Sequence, residues 1–338
     1  MDSRSPFVGA ENGAARLAQL AGIEIPAIAA ARQRTEAGLA QLRPRLASVL
    51  EHDDDCALAF VGSWGRAELT GDSDDDWLIV VGGDPRTGVQ PDPAAVAAAL
   101  DGPPPGRENL FGQVAFAGQL AGDIGLQADT NANLTRRLLL LLESCPVTGA
   151  DTWHATREAI LDGYLATRSR DHRPPLFLLN DVVRYWRTIA VDFEGKDRAR
   201  GGTGWGLRNG KLRTSRKLLF ASALLPILEC HRLTRPQMHE YLRAQFAAPP
   251  LDRVAAAFIA YEAVDPGARL LAGYDRFLQL LDDPDTRAEL SALAEADSHA
   301  SAVFGEVRAI ADQVQAALLA LLFDDTRLAK VTREYAVF

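Results

Sequence analysis

Cysteine is scarce in this chain: three occur in 338 residues. Cys56, Cys145 and Cys230 are widely separated, sit in apolar surroundings and form no Cys-x-x-Cys pair. That spacing argues against a disulfide scaffold or a zinc site and predicts buried free thiols in a reducing compartment. The six histidines show no ligand spacing and are assigned no role. Long hydrophobic runs are also missing. The longest, Leu138 to Leu142 and Ala316 to Phe323, fall far short of the roughly 20 residues that span a bilayer. The start, MDSRSPFVGAENGAARL, has neither the basic lead nor the apolar core of a signal peptide. A cytoplasmic protein with no membrane partner is therefore expected. Positive charge is in deficit, with a formal net charge of -9 and a pI near 5.2. This excludes a protein that coats bulk DNA or anionic membrane with its whole surface, while leaving room for a local basic patch. Internal repeats and low-complexity tracts are absent as well.

What is present is ordinary globular material, 47% hydrophobic and 24% charged. The length exceeds the usual size of one hydrophobic core, so two domains are expected. Ala14 to Leu50, rich in alanine and leucine, suits one or two amphipathic helices, with Pro26 where the second would begin. Cys56 to Val61 and Trp77 to Val81 are apolar runs too short for helices and stopped by glycine, which predicts buried strands. Asp92 to Leu100 reads as helix, Pro103-Pro104-Pro105 as loop, and Gln113 to Phe116 and Ile124 to Ala128 as two further strands. Thr130 to Ser144 opens with capping residues and runs into leucine, as a helix does. Beyond it the pattern is helical throughout, at about 152–166, 177–193, 205–229, 235–246, 251–263, 268–281 and 300–323. The fold class expected is α+β: a small mixed-sheet domain with N-terminal helices over residues 1–170, then a helical domain over 171–338. The break falls at Asp171-His172-Arg173-Pro174-Pro175.

The segment richest in chemistry is Phe60 to Val81, FVGSWGRAELTGDSDDDWLIVV. It reads as a strand, a tight Gly-Ser turn, a short helical segment, a polar loop and a second strand that opens with carboxylates. Residues two apart in a strand share a face, so Asp74 and Asp76 can aim at one point while Asp75 points away. Two carboxylates without nearby histidine or cysteine form an oxygen-ligand site suited to magnesium or manganese. Gly62 can bring backbone N–H groups close to phosphate, and Ser63 adds a hydroxyl donor. Taken alone, Asp72 to Asp76 would read as a solvated acidic loop. The strand and the Gly-Ser turn in register with it favour a site.

This segment resembles the nucleotidyltransferase superfamily pattern of a hydrophobic strand, Gly-Ser, about a dozen residues, then Asp-x-Asp leading into a strand. It is most similar to the version found in the protein uridylyltransferases and adenylyltransferases of nitrogen regulation and their relatives. Gly62, Ser63, Gly65, Arg66, Glu68, Ser73, Asp74 and Asp76 occupy the matching positions. The residue between the aspartates is usually hydrophobic in that pattern, whereas here it is Asp75. The resemblance implies a DNA polymerase β-like fold and a magnesium-dependent transfer of a nucleoside monophosphate from a triphosphate such as ATP, with release of pyrophosphate.

A third carboxylate is expected from a later strand, as general base or metal ligand. Asp123 and Asp129 flank the expected strand at 124–128. Asp129 is preferred because it stands at a strand end beside a helix start, although it could merely cap that helix. Arg66 could meet a phosphate, and Glu68 is read as its structural partner. Arg136 and Arg137 read as solvated or structural, with nucleotide contact as the alternative. From Arg184 to Lys217 there are ten Lys or Arg against three Asp or Glu, which suggests a phosphate-facing surface in an acidic chain. Arg208, Lys211 and Ser215, three and four apart, would share a helix face there, and Arg208 and Lys211 are the candidates for triphosphate contact. EGKDRARGGTGWGLRNGKL is also similar, over a short stretch, to a Lys…Gly-Gly-Leu-Arg segment of the same transferases. Tyr185 and Trp186 read as core.

The function expected is therefore a nucleotidyltransferase. Asp74 and Asp76 hold Mg2+ or Mn2+, Asp129 completes catalysis, and Gly62, Ser63, Arg66, Arg208 and Lys211 bind phosphate. Protein, an RNA end and a small molecule all remain open as the acceptor. Two rivals stand beside it: a non-catalytic module that senses the triphosphate or docks a partner, and a toxin that modifies tRNA or protein.

Overall fold

The computed structural model describes residues 9–49, 55–83, 91–100, 110–166, 169–199 and 201–336. The first eight residues, the Pro103-Pro104-Pro105 loop and Arg200 of the basic segment lie outside these. The architecture is α+β and mostly helical, with a small mixed sheet of four strands among the described residues. The chain divides into two compact units, residues 31–169 and residues 1–30 with 170–338. Among the described residues no helix is long and apolar enough to cross a membrane.

The chain opens with helices α1 (Gly13–Ala21) and α2 (Pro26–Ala47). The sheet-bearing unit takes α2 from residue 31 onward. It continues through β1 (Cys56–Val61), β2 (Trp77–Val81), α3 (Pro93–Leu100), β3 (Gln113–Phe116), α4 (Ala117–Gly122), α5 (Asn131–Leu142), β4 (Ser144–Thr148) and α6 (Ala150–Ala166). The strand order is β3-β2-β1-β4, with β1 antiparallel to both β2 and β4 and β2 parallel to β3.

Every residue of β1 and β2 is buried, which explains why both read as continuous apolar runs rather than as alternating ones. In the β1–β2 register Cys56, Leu58 and Phe60 sit opposite Val81, Ile79 and Trp77. Cross-strand partners share a face, and these six side chains form one core with Leu39 and Leu46 of α2 and Val96 of α3. Ala57, Ala59, Leu78 and Val80 occupy the other face, which packs toward α5 and α6. The leucine run of α5, Leu138 to Leu142, is buried throughout.

The expected strand at Ile124 to Ala128 does not form. After α4 the chain makes a series of turns in which Gly125 adopts a φ of 72° and Leu126 is 61% exposed. The fourth strand is instead Ser144–Thr148, which interrupts what reads as a single helix-to-helix passage. Pro146 hides it in the sequence, because proline cannot donate to a ladder. The strand lies at the sheet edge, where proline is tolerated, and its pairing with β1 is irregular between Leu58 and Ala59.

The second unit is wholly helical among its described residues. After α1 it comprises α7 (Leu176–Ala199), α8 (Trp205–Lys211), α9 (Lys217–Glu229), α10 (Arg235–Ala247), α11 (Pro250–Ala260), α12 (Val264–Asp282), α13 (Pro284–Ala292), α14 (Ala302–Leu319) and α15 (Thr326–Tyr335). A π-helical turn, Leu212–Arg216, joins α8 to α9, and a second, Ala320–Asp324, follows α14. The side chains of Asp283, Ser301 and Asp325 accept backbone N–H groups at the starts of α13, α14 and α15.

Helix α1 packs in this unit rather than with the sheet, which differs from a single cut at residue 170. The Ala14 N–H donates to Asp252 Oδ1 at 2.8 Å. Gly13 lies so close to α11 that a Cβ there would come within 2.2 Å of the Asp252 carbonyl oxygen. A glycine at that position lets two helix backbones touch.

Candidate functional site

The turn between β1 and β2 begins at Gly62, whose φ of 68° falls in the left-handed region that glycine enters without strain. The chain then winds through one turn, with Arg66 N–H donating to the Gly62 carbonyl at 3.0 Å and Glu68 N–H to that of Ser63 at 2.9 Å. The N–H groups of Ser63, Trp64 and Gly65 have no backbone acceptor among the described residues, which leaves them available to an anion. Ser63 is half-buried at the start of the turn. Gly65 fixes the turn against the end of α5, since a Cβ there would lie 2.0 Å from the Glu143 carbonyl oxygen.

The second half of the site is the loop leading into β2. Arg34 of α2 donates to the Leu69 carbonyl at 2.7 Å, and Thr35 Oγ1 accepts the Leu69 N–H at 3.3 Å. Thr70 and Ser73 close the next turn on each other, through Thr70 N–H to Ser73 Oγ at 3.0 Å and Ser73 N–H to the Thr70 carbonyl at 3.2 Å. The ladder with β1 then starts one residue before β2, where Val61 N–H donates to the Asp76 carbonyl at 2.9 Å.

Asp75 points toward the α2 face, where its Oδ1 accepts the ring N–H of Trp64 at 2.9 Å. Asp76, where the ladder with β1 begins, is out of phase with it. Asp76 is half-buried, with its carboxylate beside Gly62: a Cβ on that glycine would be 3.4 Å from Asp76 Oδ2. Asp74 is exposed.

This donor set consists of hard oxygens. Among the described residues no group of three or more His, Cys, Asp or Glu side chains assembles as a metal cage. Two carboxylates with no protein cage are what magnesium uses when phosphates and water supply its remaining ligands. The residues present therefore fit a magnesium-bound phosphate better than a structural metal.

Arg66 turns away from this opening. It is 8% exposed, its Nε donates to Glu68 Oε2 at 2.7 Å, and its Nη1 is paired with Glu143. The expected phosphate contact from Arg66 is thus replaced by a buried ion-pair triad that braces the turn, with Glu68 in the structural role expected of it. Glu143 gave no signal beyond being the charge that ends a leucine run.

Asp129 is likewise committed elsewhere. Its Oδ2 and Oδ1 accept from Arg137 Nη2 and Nη1 at 2.8 and 3.1 Å, and Oδ2 also accepts the Gly125 N–H at 3.2 Å. Arg137 in turn donates to the Tyr164 hydroxyl at 2.8 Å and to the Leu120 carbonyl at 3.0 Å. Burial opposes the Arg137 charge, but the bonds to Asp129 and Tyr164 outweigh it and hold its pKa above the usual arginine range. A carboxylate gripped in this way is a structural anion, so the expected third catalytic carboxylate is not supplied by Asp129. Asp123 ends α4 in the same series of turns. Among the described residues the strand beside β2 offers no substitute. There Gln113 pairs with Leu78 and Gly112 N–H donates to the Trp77 carbonyl, so Phe111, Gly112 and Gln113 stand next to the start of β2.

Arg208 and Lys211 belong to the helical unit. Arg208 Nη2 pairs with Asp197 at 2.7 Å, and its Nη1 donates to the Thr203 carbonyl at 2.5 Å, so it closes the glycine-rich loop before α8. Lys211 is half-buried, whereas Ser215 is 4% exposed inside the π-helical turn, so the three do not share a solvent face. The charge of the basic segment is partly offset locally, for Arg184 and Arg213 also pair, with Asp181 and Asp312. Tyr185 is buried, and Trp186 stacks on Phe220 with ring centroids 5.5 Å apart.

Compared with protein family models, with curated proteins and with solved structures, the chain matches none.

Proposed function

We propose that the sheet-bearing unit binds a nucleoside triphosphate with magnesium and transfers its nucleoside monophosphate to an acceptor, in the manner of the nucleotidyltransferases. The observation that carries this reading is the Asp76 carboxylate beside Gly62, at the mouth of a turn whose leading amides have no backbone acceptor among the described residues. Anion donors and cation ligands adjoin each other there, as a magnesium triphosphate requires.

In this reading the Gly62–Ser63 turn holds the terminal phosphates, and Asp74 and Asp76 hold the metal. When bound, the metal would neutralise phosphate charge and orient the leaving group. An oxygen of the acceptor forms a bond to the α-phosphorus and gives up its proton to water, the bond from that phosphorus to the bridging oxygen breaks, and pyrophosphate leaves with the electron pair. The protein's part is positioning and charge placement.

A second reading is favoured by one feature, the capture of Asp129 by Arg137. With no carboxylate from β3 or from Asp129 to take the acceptor's proton, the same site could bind a triphosphate without turnover. Incubating the protein with magnesium, a cell lysate and each α-labelled nucleoside triphosphate in turn separates the two. Label on an acceptor with matching pyrophosphate release supports transfer. Magnesium-dependent binding with no label and no pyrophosphate sinks the transferase and leaves the sensor. Absence of any binding sinks both.

A further inference from the structure

Asp75 sits between the two carboxylates assigned to the metal, and Trp64 lies in the turn assigned to the phosphates. We propose that the hydrogen bond between them is a positioning device that fixes the direction of Asp74 and Asp76 toward the turn. The proposal rests on the magnesium triphosphate reading above.

Trp64 is a rigid anchor. It is 6% exposed and stacks on Phe60 of β1 with ring centroids 4.8 Å apart and planes 24° from parallel. On its far edge is Gly38 of α2, where a Cβ would lie 2.7 Å from Trp64 Cη2. The indole is thus clamped between a strand and a helix, and its ring N–H has one direction to point. Asp75 Oδ1 accepts that N–H at 2.9 Å.

The backbone around Asp75 needs such a tie. Behind it the Thr70–Ser73 clasp ends, and ahead of it the ladder begins only at Asp76. Among the described residues neither Asp74 nor Asp75 makes a backbone hydrogen bond. The side-chain bond therefore pins the middle residue to the α2 face, while the ladder bond at Asp76 keeps the next carboxylate on the Gly62 side, and Asp74 is left to follow its tied neighbour. A hydrophobic residue at position 75 could only rest against the core. An acid there gains a directional partner in the same turn that would carry the phosphates, so the metal half and the phosphate half of the site become mechanically one piece.

A bond that only stabilises the fold would lower melting temperature without altering metal dependence, so the test separates the two. The full-length chain is prepared as wild type, W64F, D75A, D75N and the W64F/D75A double variant. Calorimetry with ATP, CTP, GTP and UTP, each across a magnesium series, gives the magnesium concentration at half-saturation, and thermal unfolding is recorded alongside. W64F removes the donor and keeps the charge, whereas D75N removes the charge and keeps an acceptor oxygen.

W64F and D75A should each raise the half-saturating magnesium concentration roughly three- to tenfold, the loss expected for one hydrogen bond. The double variant should be no worse than either single one, and D75N should stay within about twofold of wild type. Folded W64F and D75A proteins with wild-type magnesium dependence would overturn the proposal. So would a D75N protein as impaired as D75A, since the charge rather than the bond would then matter. Should W64F fail to fold, D75A against D75N decides the question. A wild type that binds none of the four triphosphates overturns the underlying reading, and the positioning role with it.

Discussion

The sheet-bearing unit places carboxylates in two polar stretches, and they differ in what stands opposite them. Asp74 and Asp76 lead into β2 beside the Gly62 turn, where Asp74 is exposed and Asp76 half-buried. Asp129 closes the turns after α4, where a fully buried guanidinium grips both of its oxygens. Both stretches are acidic, glycine-containing and next to a regular element. The lesson is that exposure and partners differ between like-looking stretches: Asp74 faces solvent, whereas Asp129 already holds a cation from its own chain.

The largest effect that would test this contrast comes from breaking the sealed pair. Arg137→Met leaves Asp129 buried and uncompensated, and it also strips the Tyr164 hydroxyl and the Leu120 carbonyl of their donor. It should destabilise the unit by about 3–5 kcal/mol in urea unfolding. A loss under about 1 kcal/mol would mean that Asp129 is solvated and free for other work. Next in size, Asp74→Asn and Asp76→Asn should leave unfolding nearly unchanged and weaken magnesium-dependent triphosphate binding roughly ten- to hundredfold. Comparable binding in both variants and the wild type would remove the metal assignment.

A smaller effect lies in pH. The Arg137 pKa is raised on folding, so its contribution is complete below the unfolded value, which is above about 12, and is lost only as pH rises through the still higher folded one. The gap in stability between wild type and Arg137→Met should therefore stay flat from about pH 7 to pH 10. A gap that narrows over that range would show that the guanidinium titrates and the seal is leaky.

The smallest effect of a substitution concerns the backbone of the open stretch. Ala67 ends the Gly62 turn with a φ of 56°, a region costly for any residue with a Cβ. Ala67→Gly should raise stability by about 0.5–1 kcal/mol, the strain relieved less the entropy that glycine loses on folding. Destabilisation instead would indicate that the methyl group packs and that the strain is offset locally.

How much of this was legible beforehand varies with the range of the interactions concerned. The runs of β1 and β2 could be read because burial on both sheet faces writes itself as short apolar stretches bounded by glycine or polar residues, and half-buried β3 because glycine and polar residues bound a short apolar run. The opposed directions of Asp75 and Asp76 followed from strand alternation alone. Local reading failed wherever a partner was distant. Arg66 looked free for phosphate because Glu143 is 77 residues away, and no pattern near residue 66 announces it. β4 was hidden by Pro146, which only its edge position makes acceptable. Ile124 to Ala128 passed for a strand because its apolar residues alternate, although Gly125 and the pull of Asp129 curl it into turns. Neither π-helical turn leaves a trace in side-chain type, since both are built from residues that suit an ordinary helix.

The turn at Leu212–Arg216 also bears on how this chain could change in length. A π turn holds one residue more than the α turn it replaces, so the helix there has in effect absorbed an insertion without swinging its two halves out of phase. Deleting one residue in α8 would rotate everything beyond it by about 100° and carry Leu218, Leu219 and Leu225 out of the core. Deleting one inside the bulge would anneal it to regular helix and leave both flanks facing as they do now. The bulge is thus the place along this helical path where the reading frame of the core has slack, and shortening the helix by one residue there should be the tolerated version of an otherwise disruptive change.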